Sequence, residues 1–158
     1  MSNIYEQLKQ DHDVHRDLLA RLESTEGDSS DRRELWDRFY YDVKSHAAAE
    51  EETFYSKLMQ DPKGQDDARH GVAEHKELDD IMEELHQMDF SSPGWLTRFK
   101  TLKHEYEHHM DEEEEDMFAK GRSVFSSADA KEFGAHFASR KQAERRLVDE
   151  KASASLEE

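Results

Sequence analysis

The chain of 158 residues has no cysteine. That absence excludes disulfides, thiolate metal ligands, iron–sulfur clusters and a cysteine nucleophile. With only 2 Pro and 6 Gly, it is too poor in turn formers for an all-β chain. Cations are scarce as well: 22 Lys and Arg face 39 Asp and Glu, a formal charge of −17. Such a charge repels nucleic acid and anionic lipid, so neither is expected as a partner. Long apolar runs are missing and the first residues are polar, so neither a membrane span nor a signal peptide is expected, and the chain reads as cytoplasmic. Hydrophobic residues make up 34% of the chain, yet 8 Phe, 5 Tyr and 2 Trp argue against disorder. Long helices with solvated faces reconcile the two. The outlying count is 10 His, with no tag-like run among them.

Apolar and His positions at 3–4 spacing (Ile4, Leu8, His12, His15, Leu19, Leu22) predict a first helix over about residues 3–23. Ser30 or Asp31 is expected to cap a second helix that Asp61-Pro62 stops. A third follows over about 66–88. Ser92 and Pro93 open a fourth, and Gly121 is expected to close it. A fifth is expected over about 128–148. The expected architecture is all-α: an antiparallel up-down-up-down four-helix bundle over residues 1–125, a C-terminal helix (126–150) on or beside it, and a flexible tail (151–158).

An internal repeat organises this pattern. His46-x-x-x-Glu50 recurs 63 positions later as His109-x-x-x-Glu113, and the same shift carries Asp11-His12 onto Glu74-His75. It also overlays Trp36, Phe39, Val43 and Phe54 on Phe99, Leu102, Tyr106 and Met117. Two equivalent helical hairpins follow. On each inward stripe a His and a Glu, four apart, replace apolar residues and share one helix face. With His12 and His75 inward on the other two helices, the interior holds four imidazoles and two carboxylates and no Lys or Arg. Burying such carboxylates without a partner costs several kcal/mol, and a bound cation is the simplest remedy. Imidazole with carboxylate suits first-row metals, and six donors exceed one tetrahedral zinc. Divided symmetrically, they give each of two metals two His, one from each hairpin or both from one, with Glu50 and Glu113 free to bridge.

These motifs resemble the hemerythrin-like, HHE cation-binding domains: Asp11-His12, His46-x-x-x-Glu50 before Phe54-Tyr55, Glu74-His75, and His109-x-x-x-Glu113 before Met117-Phe118. The likeness spans roughly residues 4–120, and four motifs agree in order and spacing. It implies an oxo- or hydroxo-bridged di-iron centre in proteins that bind or respond to O₂, iron, peroxide or nitric oxide; by ligand type alone, manganese or zinc also suits the donors. Carried over by motif, the ligands are His12, His46, Glu50, His75, His109 and Glu113. One departure stands out. Oxygen-carrying hemerythrins have a third-helix HxxxH pair, whereas here Gly71 precedes His75 by four and Asp79 follows it by four. Glu113 also stands where those carriers place an Asp one residue later. His70 and His15 are candidates for the missing ligand, and Tyr106 for a hydrogen-bond donor near the site.

Taken singly, an inward His is usually a hydrogen-bonded core residue; duplication at one offset turns the balance toward metal. His104 and His108 lie off the stripe, His86 and His136 read as surface residues, and in the run 112–116 only Glu113 is expected to point inward. The expected function is a non-haem di-iron protein that binds or responds to O₂ or a related small molecule. The alternatives are a peroxide-decomposing enzyme on the same centre and a helical interaction protein with a structural metal. No acid–base or nucleophilic cluster stands apart from the ligands, which favours the first. A monomer or weak homo-oligomer is expected.

Overall fold

A computed structural model describes residues 2–157; Met1, Glu158 and the side chains from residue 148 onward lie outside the described residues, and the backbone of the expected tail is helical as far as Glu157. Among the described residues every element is helical. α1 is Ile4–Glu23, α2 runs over residues 30–59, α3 is Gln65–Gln87, α4 runs over 93–124, and α5 is Ser127–Glu157. The first four make the up-down-up-down bundle of two hairpins, and α5 lies along α1 and α2. None of the described helices is long and apolar enough to cross a membrane.

The helix starts follow from capping side chains. Asn3 Oδ1 accepts the Glu6 N–H at 2.9 Å, and Ser92, followed by Pro93 in the first turn, accepts from Gly94. Ser126 and Asp129 bond reciprocally at the start of α5. Two expectations are corrected. The cap of α2 is Ser29, whose hydroxyl accepts from the Arg32 N–H, so Ser30 is already helical. Gly121 does not end α4, which continues to Val124. Its role is spatial: a Cβ there would sit 2.6 Å from the Tyr5 hydroxyl, so only glycine lets α1 and α4 approach.

Neither long α2 nor α4 is uniform. A π-helical turn begins just after the inward Glu of α2, over Glu51–Tyr55, and at the inward Glu itself in α4, over Glu113–Met117. The wider i→i+5 turn moves later residues one place around the axis, so Phe54 and Tyr55 are both buried. Apolar residues form two clusters. One gathers Leu19, Leu22, Trp36, Phe39, Met82, Trp95, Phe99 and Leu102; the other gathers Ile4, Leu8, Phe54, Tyr55, Leu58, Phe118, Phe133 and Phe137. Between them lies a polar layer.

Candidate metal centre

The layer is made by His12 of α1, His46 and Glu50 of α2, His75 of α3, and His109 and Glu113 of α4. Glu50 and Glu113 are fully buried, and the four rings are nearly so. His12 Nε2 stands 3.2 Å from Glu113 Oε1 and His75 Nε2 3.1 Å from Glu50 Oε1. His46 Nε2 lies 3.8 Å from Glu50 Oε1 and His109 Nε2 3.5 Å from Glu113 Oε2. Two groups of converging donors result: His12, His46, Glu50 and Glu113, and His75, His109, Glu50 and Glu113. Each hairpin thus supplies both imidazoles of one group, and the two carboxylates belong to both.

A ring of outer carboxylates orients the imidazoles. His12 Nδ1 donates to Glu114 at 2.8 Å, His46 Nδ1 to Asp11 at 2.7 Å, His75 Nδ1 to Glu51 at 3.3 Å, and His109 Nδ1 to Glu74 at 2.8 Å. An ionised carboxylate only accepts, so each Nδ1 carries a hydrogen, and Nε2 is the atom left to offer a lone pair to the interior when the ring is neutral. These partners obey the repeat too: Asp11 maps onto Glu74 and Glu51 onto Glu114. Sequence reasoning paired Asp11 with Glu74 in the repeat but gave none of the four a role, although the same 63-residue shift was the signal. It also placed Glu114 on a solvated face, whereas Glu114 is half-buried between His12 and Arg16.

Electrostatics leaves the layer unfinished. Both oxygens of Glu50, Glu113 Oε1 and His12 Nε2 are buried with no hydrogen-bond partner among the described residues. Burial and the charge of Glu113 push the Glu50 carboxyl well above the usual range. Glu113 is held well below it, against its burial, by Glu50 and His12. Burial opposes a charge on His12, but Glu113 and Glu114 raise it to about 9. Orphaned carboxylate oxygens facing imidazole lone pairs are the donor set of a first-row metal, so the residues fit one.

One difference between the halves falls on the aromatic residue beside the layer. Tyr55 stacks on His75 with ring centroids 5.2 Å apart, while its counterpart Phe118 faces His12 at 6.5 Å. The Tyr55 hydroxyl donates to Glu113 in a short hydrogen bond; Phe118 has no donor. Gly71 makes room for it, since a Cβ there would lie 2.7 Å from the Tyr55 ring. The space of the absent third-helix His is therefore filled by a phenol.

The other candidates lie elsewhere. His15 is buried, with Nδ1 2.9 Å from the Tyr106 hydroxyl and Nε2 2.6 Å from Asp42, so both nitrogens are engaged and it joins neither donor group. The Tyr106 hydroxyl serves His15. His70 is 54% exposed and pairs with Glu112 and Glu74. His86 is not simply a surface residue: it stacks on Tyr40 at 3.9 Å and accepts the Trp36 indole N–H.

A curated relative, a DNA nickase from Nostoc sp., is 25% identical over 155 residues; the match takes in 98% of this chain but 44% of that protein, so the chain spans less than half its length. The crystal structure of a hemerythrin HHE cation binding domain-containing protein from Mycobacterium kansasii superposes with a TM-score of 0.86 at 28% identity, covering 96% of this chain and 92% of that one. The family model of the hemerythrin HHE cation binding domain matches residues 3–120, which include all six inward His and Glu. The chain belongs to the hemerythrin HHE cation-binding family, whose domains bind metal ions.

Proposed function

We propose that the chain is a non-haem di-iron protein that binds or responds to O₂ or a related small molecule. The observation that carries this reading is the pair of buried donor groups sharing Glu50 and Glu113, with orphaned oxygens and no Lys or Arg among their donors. His12 and His46 would hold one ion, His75 and His109 the other, and the two carboxylates would serve both. Bound there, a pair of irons supplies redox electrons and open coordination positions. The chain's own residues do the rest. Asp11, Glu51, Glu74 and Glu114 fix the imidazole tautomers. Tyr55 holds a proton against Glu113. Val43, Ala47, Leu78 and Met82, with Lys44 and Asp79, join His46, His75 and Tyr106 around a niche of about 30 Å³, the room of one small molecule. A phenol in place of the carriers' fifth imidazole favours reactivity or sensing over reversible transport. The charge of −17 disfavours DNA as a substrate, and the region shared with the nickase is less than half of that protein.

The test is metal analysis of purified protein followed by stopped-flow mixing of the anaerobically reduced form with O₂. Two irons per chain, reaction with O₂ and a charge-transfer band on adding azide to the oxidised form are expected. One zinc per chain, unchanged by His46→Ala, would overturn the reading.

A further inference from the structure

A cavity of about 220 Å³ runs between the surface and Glu113, lined by Asp67, His70, Glu74, Glu112, Asp116 and Met117. Its walls carry carboxylates and one imidazole and no Lys or Arg. At the mouth, His70 Nε2 lies 2.9 Å from Glu112 Oε1 and 3.5 Å from Glu74 Oε2, and His108 Nε2 lies 3.1 Å from Glu112 Oε2. One donor atom each from His70, Glu74 and Glu112 falls within 4.8 Å of the others, close enough for a single ion. Glu74 also faces inward, where its Oε1 accepts from His109. At the inner end Glu113 is 1% exposed, and its Oε1 has no hydrogen-bond partner among the described residues. Oxygen and nitrogen donors thus continue from solvent to the buried centre.

We propose that His70, Glu74 and Glu112 form an outer site for one first-row divalent cation, which passes from there to the buried centre. The donor types fit: an imidazole and two carboxylates with water at the remaining positions hold such an ion loosely enough for exchange. The field fits as well, because a cleft of one charge sign raises the local concentration of counter-ions. The repeat makes the cluster specific. Its counterparts in the first hairpin are Gln7 for His70, Asp11 for Glu74, Ser45 for His108 and Ala49 for Glu112. They offer one carboxylate and no imidazole, and Lys141 already pairs with that carboxylate at 2.9 Å. The inference rests on the proposed centre only for the ion's destination.

The experiment compares wild type with a His70→Ala, Glu112→Gln double variant. Calorimetric titration of the metal-loaded wild-type chain with Zn²⁺ alone should find one further equivalent, absent in the variant. Ferrous uptake by the metal-free variant should slow by about tenfold, the lower range of electrostatic guidance into a cleft, while its final metal content and melting temperature stay at wild-type values. A variant that keeps the extra equivalent, or loads at the wild-type rate, overturns the proposal. Failure of the dinuclear reading shows separately, as a final content below two ions in wild type.

Discussion

The two sides of the centre come from one repeated hairpin, yet they are finished differently. On the side of His12 and His46, α5 closes the bundle. Phe137 packs edge-on against the His46 ring at 5.5 Å, and Lys141 bridges Asp11 at 2.9 Å and Asp42 at 3.1 Å. On the side of His75 and His109, the matching carboxylate Glu74 meets His70 instead, at the mouth of the acidic cavity. Duplication supplied the same imidazoles and carboxylates to both sides, and the added helix sealed one of them. A buried centre needs a dry, fixed half to hold its geometry and an accessible half for exchange. Here the division falls between the hairpins.

The largest expected effect is on both sides at once. Metal bound at about a thousandfold its dissociation constant stabilises the fold by about 4 kcal/mol, so stripping it should lower the melting temperature by about 10 °C. Glu50→Ala or Glu113→Ala should abolish the dinuclear centre and narrow that gap, because the uncompensated carboxylate goes with it. Equal melting curves with and without metal would mean that these carboxylates are not strained in the metal-free chain. Within α4, His109→Ala should lose metal while His108→Ala, 65% exposed, keeps it. Elemental analysis of both variants reads this directly, and the reverse result would break the repeat.

A smaller effect is expected where the hairpins differ by one oxygen atom. Tyr55→Phe makes that position like Phe118 and strips Glu113 of its hydroxyl donor. Loss of a buried hydrogen bond to a charged group costs about 2 kcal/mol, or about 5 °C in the melt of the metal-free chain. No change would mean that the phenol only fills the space over Gly71.

Much of this comparison was legible in the sequence. The six inward residues followed from stripes and one offset, because side-chain direction on a helix is fixed by spacing. The outer carboxylates obeyed the same offset but sat beside the stripes, where charge reads as solvated surface. Tyr55 was hidden by the π-helical turn, which shifts the register past Glu50 and brings a residue off the expected stripe to the centre. His15 looked like a ligand because its helix face is right; Asp42 and Tyr106, which take both its nitrogens, lie on other helices. The seal by α5 depends on tertiary packing and leaves no periodic mark. Lys141 and Phe137 are ordinary residues on an amphipathic helix until they meet Asp11 and His46.

The smallest expected effect tests that seal alone. Lys141 stands between two carboxylates that each hold an imidazole: Asp11 on His46, and Asp42 on His15. Lys141→Met keeps much of the apolar stem and removes the charge. Asp42 retains Arg145 at 3.4 Å, whereas Asp11 loses the lysine that, with His46, holds its carboxyl below the usual range. The disturbance should therefore concentrate on His46. Two partly exposed ion pairs are worth about 1 kcal/mol together, so the melt should fall by about 3 °C, and Lys141→Arg should restore most of it. Imidazole nitrogen resonances of the metal-free protein give the sharper reading. Those of His46 should shift as its acceptor weakens, while those of His109, whose acceptor Glu74 has no such lysine, should stay in place. Equal movement at both rings would show that the two sides respond as one unit, and the division between a sealed and an open half would fail.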